Sequence, residues 1–156
     1  MKLNSTQMKA LEDKTAHFMF DVRDYDSLNA EQKRIYNAFV YRRAKPYNFE
    51  VTDAYGNTIR FKLYTNKTDD GVLHIMGKHY RGAVGAVTTQ EILNLCDVIR
   101  YGVMKPEANK LTYSWRKGNS TLVLIVGLKK SKEGGNILKS FYSNRKTSRT
   151  AGSSNK

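Results

Sequence analysis

The chain has 156 residues, with 27 Lys+Arg against 14 Asp+Glu and a formal net charge of +13; 40% of it is apolar, and only two residues are proline. These values suit one folded domain and exclude both a chain of several independent cores and an intrinsically disordered tail. The longest apolar stretch, Leu122 to Leu128, falls far short of the roughly 20 residues of a membrane span, and the first thirty residues lack a signal peptide's apolar h-region, so the expectation is a cytoplasmic protein without a membrane partner.

Gln7 to about Val22 reads as a helix, with Met8, Leu11, Thr15, Phe18 and Met19 near one face. Asn29 followed by Gln32 has capping-box spacing, and Ile35, Tyr36, Phe39 and Val40 recur at helical intervals until Lys45-Pro46. Beyond Pro46 the period changes to two. Phe49–Asp53 and Ile59–Thr65 alternate around the turn signal Asp53–Asn57 and predict a β-hairpin. A short apolar segment, Val72–Met76, is read as a strand that leads into the glycine-broken loop Gly77–Gly85. Thr88 and Glu91 form a second capping box, opening a helix with Ile92, Leu95, Cys96 and Ile99 on one face and Gly102 as its stop. Leu111–Lys117, Thr121–Lys130 and Ile137–Ser143 then predict a three-stranded meander. Its middle strand is apolar on both parities and is expected to be covered on both faces. In its last strand, Ile137 and Phe141 share the core parity, while Ser140, Tyr142 and Asn144 share the other.

The expected fold is therefore α+β: N-terminal helices followed by a twisted antiparallel β-sheet with a helix packed on one face. The expected organisation is a helical segment over 1–46, an α+β domain over 47–145 and a disordered basic tail over 146–156. Cys96 is the only cysteine, which excludes an internal disulfide and any multi-cysteine zinc site and leaves a small buried apolar residue as its expected role.

The charge is unevenly placed. Residues 1–70 carry net +2 and residues 71–156 net +11. Such a field draws a polyanion through counterion release, so nucleic acid is the leading partner. The densest cluster of reactive types is His74-Ile-Met-Gly-Lys78-His79-Tyr-Arg81, which holds two of the three histidines. Histidine exchanges protons near neutral pH, while Lys and Arg stabilise a developing phosphorane, so this pattern suits general acid/base chemistry on phosphate. The bland alternatives are a partly buried strand histidine for His74 and plain phosphate contact for Lys78, His79 and Arg81. A metal-dependent nuclease needs clustered carboxylates, yet past Gly71 the acids are Glu91, Asp97, Glu107 and Glu133, and Glu91 belongs to the capping box. A zinc site from His74 and His79 lacks an evident third ligand. No metal and no cofactor is expected. What remains is cleavage of RNA by its own 2′-OH, with Ser140, Tyr142 and Arg145 adding a donor, an acid or stacking surface and a phosphate clamp. Tyr113, on the same strand parity as Trp115, offers a stacking surface for bases, although core packing is the expectation for Trp115.

The order of these features, HIMGKHY, then TTQEILNLCDVIRYG, then LTYSWRK, TLVLIVGLKK and ILKSFYSNR, resembles the barnase/EndoU/colicin/RelE-like superfamily of small RNases over about residues 50–145. The resemblance implies metal-independent cleavage of tRNA or mRNA to a 2′,3′-cyclic phosphate, a toxin role and an immunity or antitoxin partner. It places His74, Lys78 and His79 in the first catalytic segment and Ser140, Tyr142 and Arg145 in the last. Arg81, Tyr113, Arg116, Asn144 and Arg145 are the substrate-binding candidates of the sequence itself. His79 is expected as base or acid, Lys78 as the transition-state cation and His74 as the proton-transfer partner. The alternatives are a non-catalytic nucleic-acid-binding protein and a phage-encoded inhibitor of host nucleic-acid machinery.

Overall fold

A computed structural model describes residues 3–42, 48–63, 67–82, 85–128 and 136–144. The expected stop at Lys45-Pro46, the end of the hairpin at Thr65, Arg145 and the basic tail lie outside these residues.

Helices α1 (Ser5–Val22) and α2 (Ala30–Tyr41) begin on the same device. In each, an asparagine side chain (Asn4, Asn29) accepts the N–H of a glutamine three residues on, and that glutamine's side chain accepts the asparagine's N–H in return. Only a narrow stripe of α1 is buried. Phe18 is its anchor: its ring lies 5.8 Å from Phe39 and 5.9 Å from Tyr36 of α2, and 5.7 Å edge-on from Tyr80. Both helices thus share one core with the sheet, reaching through Ile35 and Phe39 to Phe61, Leu124 and Phe141.

Six strands form one sheet: β1 (Asn48–Thr52), β2 (Thr58–Lys62), β3 (Val103–Glu107), β4 (Lys110–Lys117), β5 (Ser120–Gly127) and β6 (Ile137–Ser143), in the spatial order β1-β2-β6-β5-β4-β3. Alternation fixes the buried face. Phe49, Val51, Ile59 and Phe61 of the hairpin point inward, as do Leu122, Leu124 and Val126 of β5 and the Tyr113 that pairs with Leu124. The sheet curls until its ends meet. Asp53, in the β1–β2 turn, accepts the Tyr113 hydroxyl of β4 at 2.8 Å, and the Tyr55 hydroxyl accepts the Met104 N–H of β3 at 3.3 Å.

The sheet departs from the expected one in several places. It is mixed rather than purely antiparallel, because β6 inserts between β5 and β2 and pairs with β2 in parallel at Lys62 and Ile137. It gains β3, an edge strand whose Pro106 and charged residues carry no alternating apolar signal and are tolerated because an edge leaves one side of the backbone unpaired. β5 is covered on one face only: Val123 and Ile125 are half-exposed. A bulge at Lys139 shifts the register, so Leu138 rather than Ile137 joins Phe141 on the core face.

The helical readings change in two ways. The apolar segment expected as a strand is helix α3 (Gly71–His74), which runs into a π-helical turn, Ile75–His79, closed by Tyr80 N–H to the Ile75 carbonyl at 2.8 Å. Short apolar runs fit either structure, but burial of Val72, Ile75 and Met76 follows helical spacing. The expected capped helix opens on the Thr88/Glu91 box but is two pieces, α4 (Thr89–Leu93) and α5 (Cys96–Tyr101). Asn94 breaks it: its amide donates to the Gln90 carbonyl and accepts from Gln32 of α2, competing with the backbone ladder. No helix among the described residues is long and apolar enough to cross a membrane.

Tyr113 is fully buried, so it has no face to offer a base; its role is to hold Asp53. Burial acts to raise the Asp53 carboxyl, but N–H donors from Asn57 and Tyr55 together with the Tyr113 hydroxyl outweigh it and hold the group below its ordinary range. Tyr113→Phe is expected to destabilise the fold by about 1–3 kcal/mol by removing one donor from a buried carboxylate, as read by urea denaturation. An unchanged midpoint would show that the ends of the sheet are held together without this bond.

Candidate active site

In an α-helix, residues five apart point about 140° away from each other, because each residue turns the helix by about 100°. A π turn, bonded five residues apart, is wider and brings such residues back over one another. The turn after α3 does this for His74 and His79, whose rings pack edge to face at 5.0 Å.

The second half of the cluster comes from β6. His79 Nε2 lies 3.5 Å from Ser140 Oγ, at the outer limit of a hydrogen bond, and its ring lies 5.5 Å from Tyr142. Gly85 lets this packing close. Its φ is +66°, and a Cβ there would sit 3.0 Å from His79 Nδ1 and 3.1 Å from Tyr142 Cβ, so a side chain at this position would strain the backbone and crowd both residues by a few tenths of an ångström. The backbone beside it is tied to β6, with Ser143 N–H donating to the Gly85 carbonyl and Ser143 Oγ to that of Ala86.

Ser140 and Tyr142 belong to the sheet face turned away from the helices. Cross-strand pairing puts Ser114, Val123 and Tyr142 in one row and Thr112, Ile125 and Ser140 in the next, and both rows end at His79. Ser140 is buried, while the remainder of these rows is half-exposed. Arg116 stands exposed on the same face, paired with Thr121. The face therefore offers hydroxyls, two aliphatic side chains and a cation, with an imidazole–tyrosine cluster at its rim.

The other predicted residues divide. Lys78 is exposed beside His74, and its charge acts on that imidazole. Arg81 leaves the cluster, since its guanidinium donates to His17 Nε2 of α1 at 2.7 Å. Asn144 closes the end of the β5–β6 ladder, where its side-chain oxygen accepts the Thr121 N–H at 2.8 Å. Tyr113 lies in the core, and Arg145 lies outside the described residues. Among the described residues, no three His, Cys, Asp or Glu side chains gather where they could hold a metal ion.

One residue that sequence reasoning passed over is Lys14. Its ammonium donates to the Met76 carbonyl at 2.9 Å and the Gly77 carbonyl at 3.1 Å, satisfying acceptors on the π turn that carries the histidines. The available signal was its position, three residues after Leu11 and four before Phe18 on the inward stripe of α1, where a cation needs a partner. Burial, with Arg81 nearby, holds its pKa below the ordinary lysine value. Cys96 is buried, and its thiol is pushed well above the usual range by that burial, so it has no nucleophilic part.

No protein-family model, no curated protein and no solved structure matches the chain.

Burial lowers the His74 pKa below its ordinary 6.5; Lys78 lowers it further, and Asp70 and Asp69 oppose the shift. His74 is therefore a neutral imidazole at neutral pH. The unfolded chain takes up this proton before the folded one does, so the stability tied to His74 is complete above pH 6.5 and is lost as pH falls from there through the lowered value. In thermal melts between about pH 8 and about pH 5, wild type is expected to lose stability on the acid side more steeply than His74→Gln, which has no proton to take up. Parallel curves would remove His74 as the cause.

Proposed function

We propose that the protein is a metal-independent endoribonuclease that cuts RNA by attack of the substrate's own 2′-OH, acting in the cytoplasm as a toxin. The observation that carries this reading is the meeting of His74 and His79, set edge to face by the π turn, with Ser140 and Tyr142 at the rim of the exposed sheet face. Simple phosphate binding is served by Lys and Arg and gains little from paired imidazoles at neutral pH.

The chemistry assigns each group a part. His74, neutral and half-exposed, takes the proton of the 2′-OH, and the oxygen attacks phosphorus. The bond to the 5′-oxygen breaks, that oxygen receives a proton from the His79–Tyr142 side of the cluster, and a 2′,3′-cyclic phosphate remains. Lys78 supplies positive charge next to the phosphorane. The strand runs over the exposed face, where Arg116 meets the backbone and Val123, Ile125 and Tyr142 meet bases. DNA has no 2′-OH and is not a substrate. An immunity or antitoxin protein of acidic surface is the partner such a toxin calls for, and tRNA and mRNA are its candidate substrates.

The test is incubation of purified protein with total cellular RNA in excess EDTA, with fragments and their end groups read on a gel. Wild type is expected to give discrete products with cyclic-phosphate ends. His74→Ala/His79→Ala should lose about 10²- to 10⁴-fold in rate, as loss of general acid/base groups does, while circular dichroism shows it folded and its RNA affinity is largely kept. The acid limb of the cleavage profile should have its midpoint below 6.5, following the lowered pKa of His74. Intact RNA shifted by both proteins would replace this reading with a binding module, and neither cleavage nor shift would point to a protein partner.

A further inference from the structure

The exposed sheet face is not the only surface that reaches the histidines. Between α1 and the segment 68–78 lies a pocket of about 470 Å³, inside the size range of small-ligand sites. His74 and Lys78 form one end of it, and Lys14 lies on the α1 side.

Its lining is divided by chemistry. Leu11 of α1 and Leu73 of α3 both line this slot and supply its apolar surface, on which a flat ring can pack. Gln7 and Asp69 line the same pocket. The Gln7 side-chain oxygen is already taken by the Asn4 N–H, so Gln7 presents its NH₂ as donor, while Asp69 presents a carboxylate as acceptor. A donor and an acceptor beside an apolar slot are what the edge of a nucleobase requires. At the other end, Lys14 is pinned by the Met76 and Gly77 carbonyls, which fixes its charge in place before any ligand arrives, and Lys78 adds a second cation. Two cations beside an imidazole suit a phosphate.

We propose that this pocket is a nucleotide subsite, taking one base of the RNA on Leu11 and Leu73 with its phosphate against Lys78 and Lys14. The inference rests on the ribonuclease reading and extends it. It brings α1, which the proton-transfer chemistry does not use, into substrate recognition, and it makes the nucleotide next to the cleaved bond the one whose identity matters.

The experiment titrates the full chain with the 3′-monophosphates of adenosine, guanosine, cytidine and uridine, and with inorganic phosphate, by calorimetry. Ala10→Trp is the main variant: Ala10 is an exposed α1 residue on the pocket wall, so the indole fills the slot without entering the core. Asp69→Asn, also exposed, is the second and needs no new volume. At least one nucleotide is expected to bind more tightly than phosphate; Ala10→Trp should weaken it about tenfold or more, and Asp69→Asn should change the order among the bases. Phosphate binding as tightly as every nucleotide, or nucleotide affinities untouched in both folded variants, would overturn the proposal.

The two readings fail separately. RNA cut in EDTA, with no nucleotide lost from either variant, would leave the ribonuclease standing and remove the subsite. Nucleotide bound by wild type and lost in Ala10→Trp, with RNA never cut, would keep the subsite and remove the ribonuclease.

Discussion

β6 is the last strand in sequence and an interior strand in space, and the rest of the molecule depends on that placement. Its long antiparallel edge is matched by β5, and its other edge meets β2 at Lys62 and Ile137. Towards its end β6 is buried, and its backbone N–H groups need acceptors on that second edge as well. The turn around Gly85 and Ala86 lies there and accepts from Ser143 N–H and Oγ, and a bridge between Tyr80 and Val87 holds that turn against the end of the π turn. The histidine cluster is thus built against the end of β6, where that turn and the π turn meet the strand.

The same need for polar partners explains why α1 belongs to the domain. A helix ending in a π turn leaves carbonyls without intrahelical donors, and those of Met76 and Gly77 are answered by Lys14 from α1, 62 and 63 residues away. Phe18, one turn further along α1, packs against Tyr80 just after the turn. The Tyr80 hydroxyl, in turn, donates to Thr89 Oγ1, which donates to Asp21 of α1. One helix therefore fixes both ends of the segment that carries His74 and His79, through apolar contact on one side and hydrogen bonds on the other.

Local signals in the sequence carried much of this fold. The capping boxes at Asn29 and Thr88 open helices, the hairpin alternates as Phe49, Val51, Ile59 and Phe61 indicate, and the α+β class follows. What was not legible depends on contacts between distant residues. The insertion of β6 next to β2 leaves no local trace, since strand order is decided by pairing rather than by pattern. The break at Asn94 needs Gln32 of another helix, and the bulge at Lys139 slips the parity of Ile137, which alternation alone takes as continuous. In the candidate site, residue types at His74, His79, Ser140 and Tyr142 pointed to one cluster from two distant segments. Tyr113 misled because its partner, the buried Asp53, lies 60 residues away. Asn144 and Arg81 look like surface contacts in sequence, yet one closes a ladder and the other reaches His17.

The reading of Val72–Met76 as a strand bears directly on the chemistry. On a strand, His74 and His79 would fall on opposite faces, since five residues is an odd step in a period of two. On an α-helix they would point about 140° apart. Only the widened turn sets the imidazoles at 5.0 Å, and it does so at the cost of a regular helical ladder. That cost is offset by Lys14 and by the Ile75–Tyr80 bond, neither of which a regular helix would require. The arrangement therefore depends on a lysine from another helix to hold an irregular turn and on a glycine at positive φ to let one of its histidines close on Tyr142.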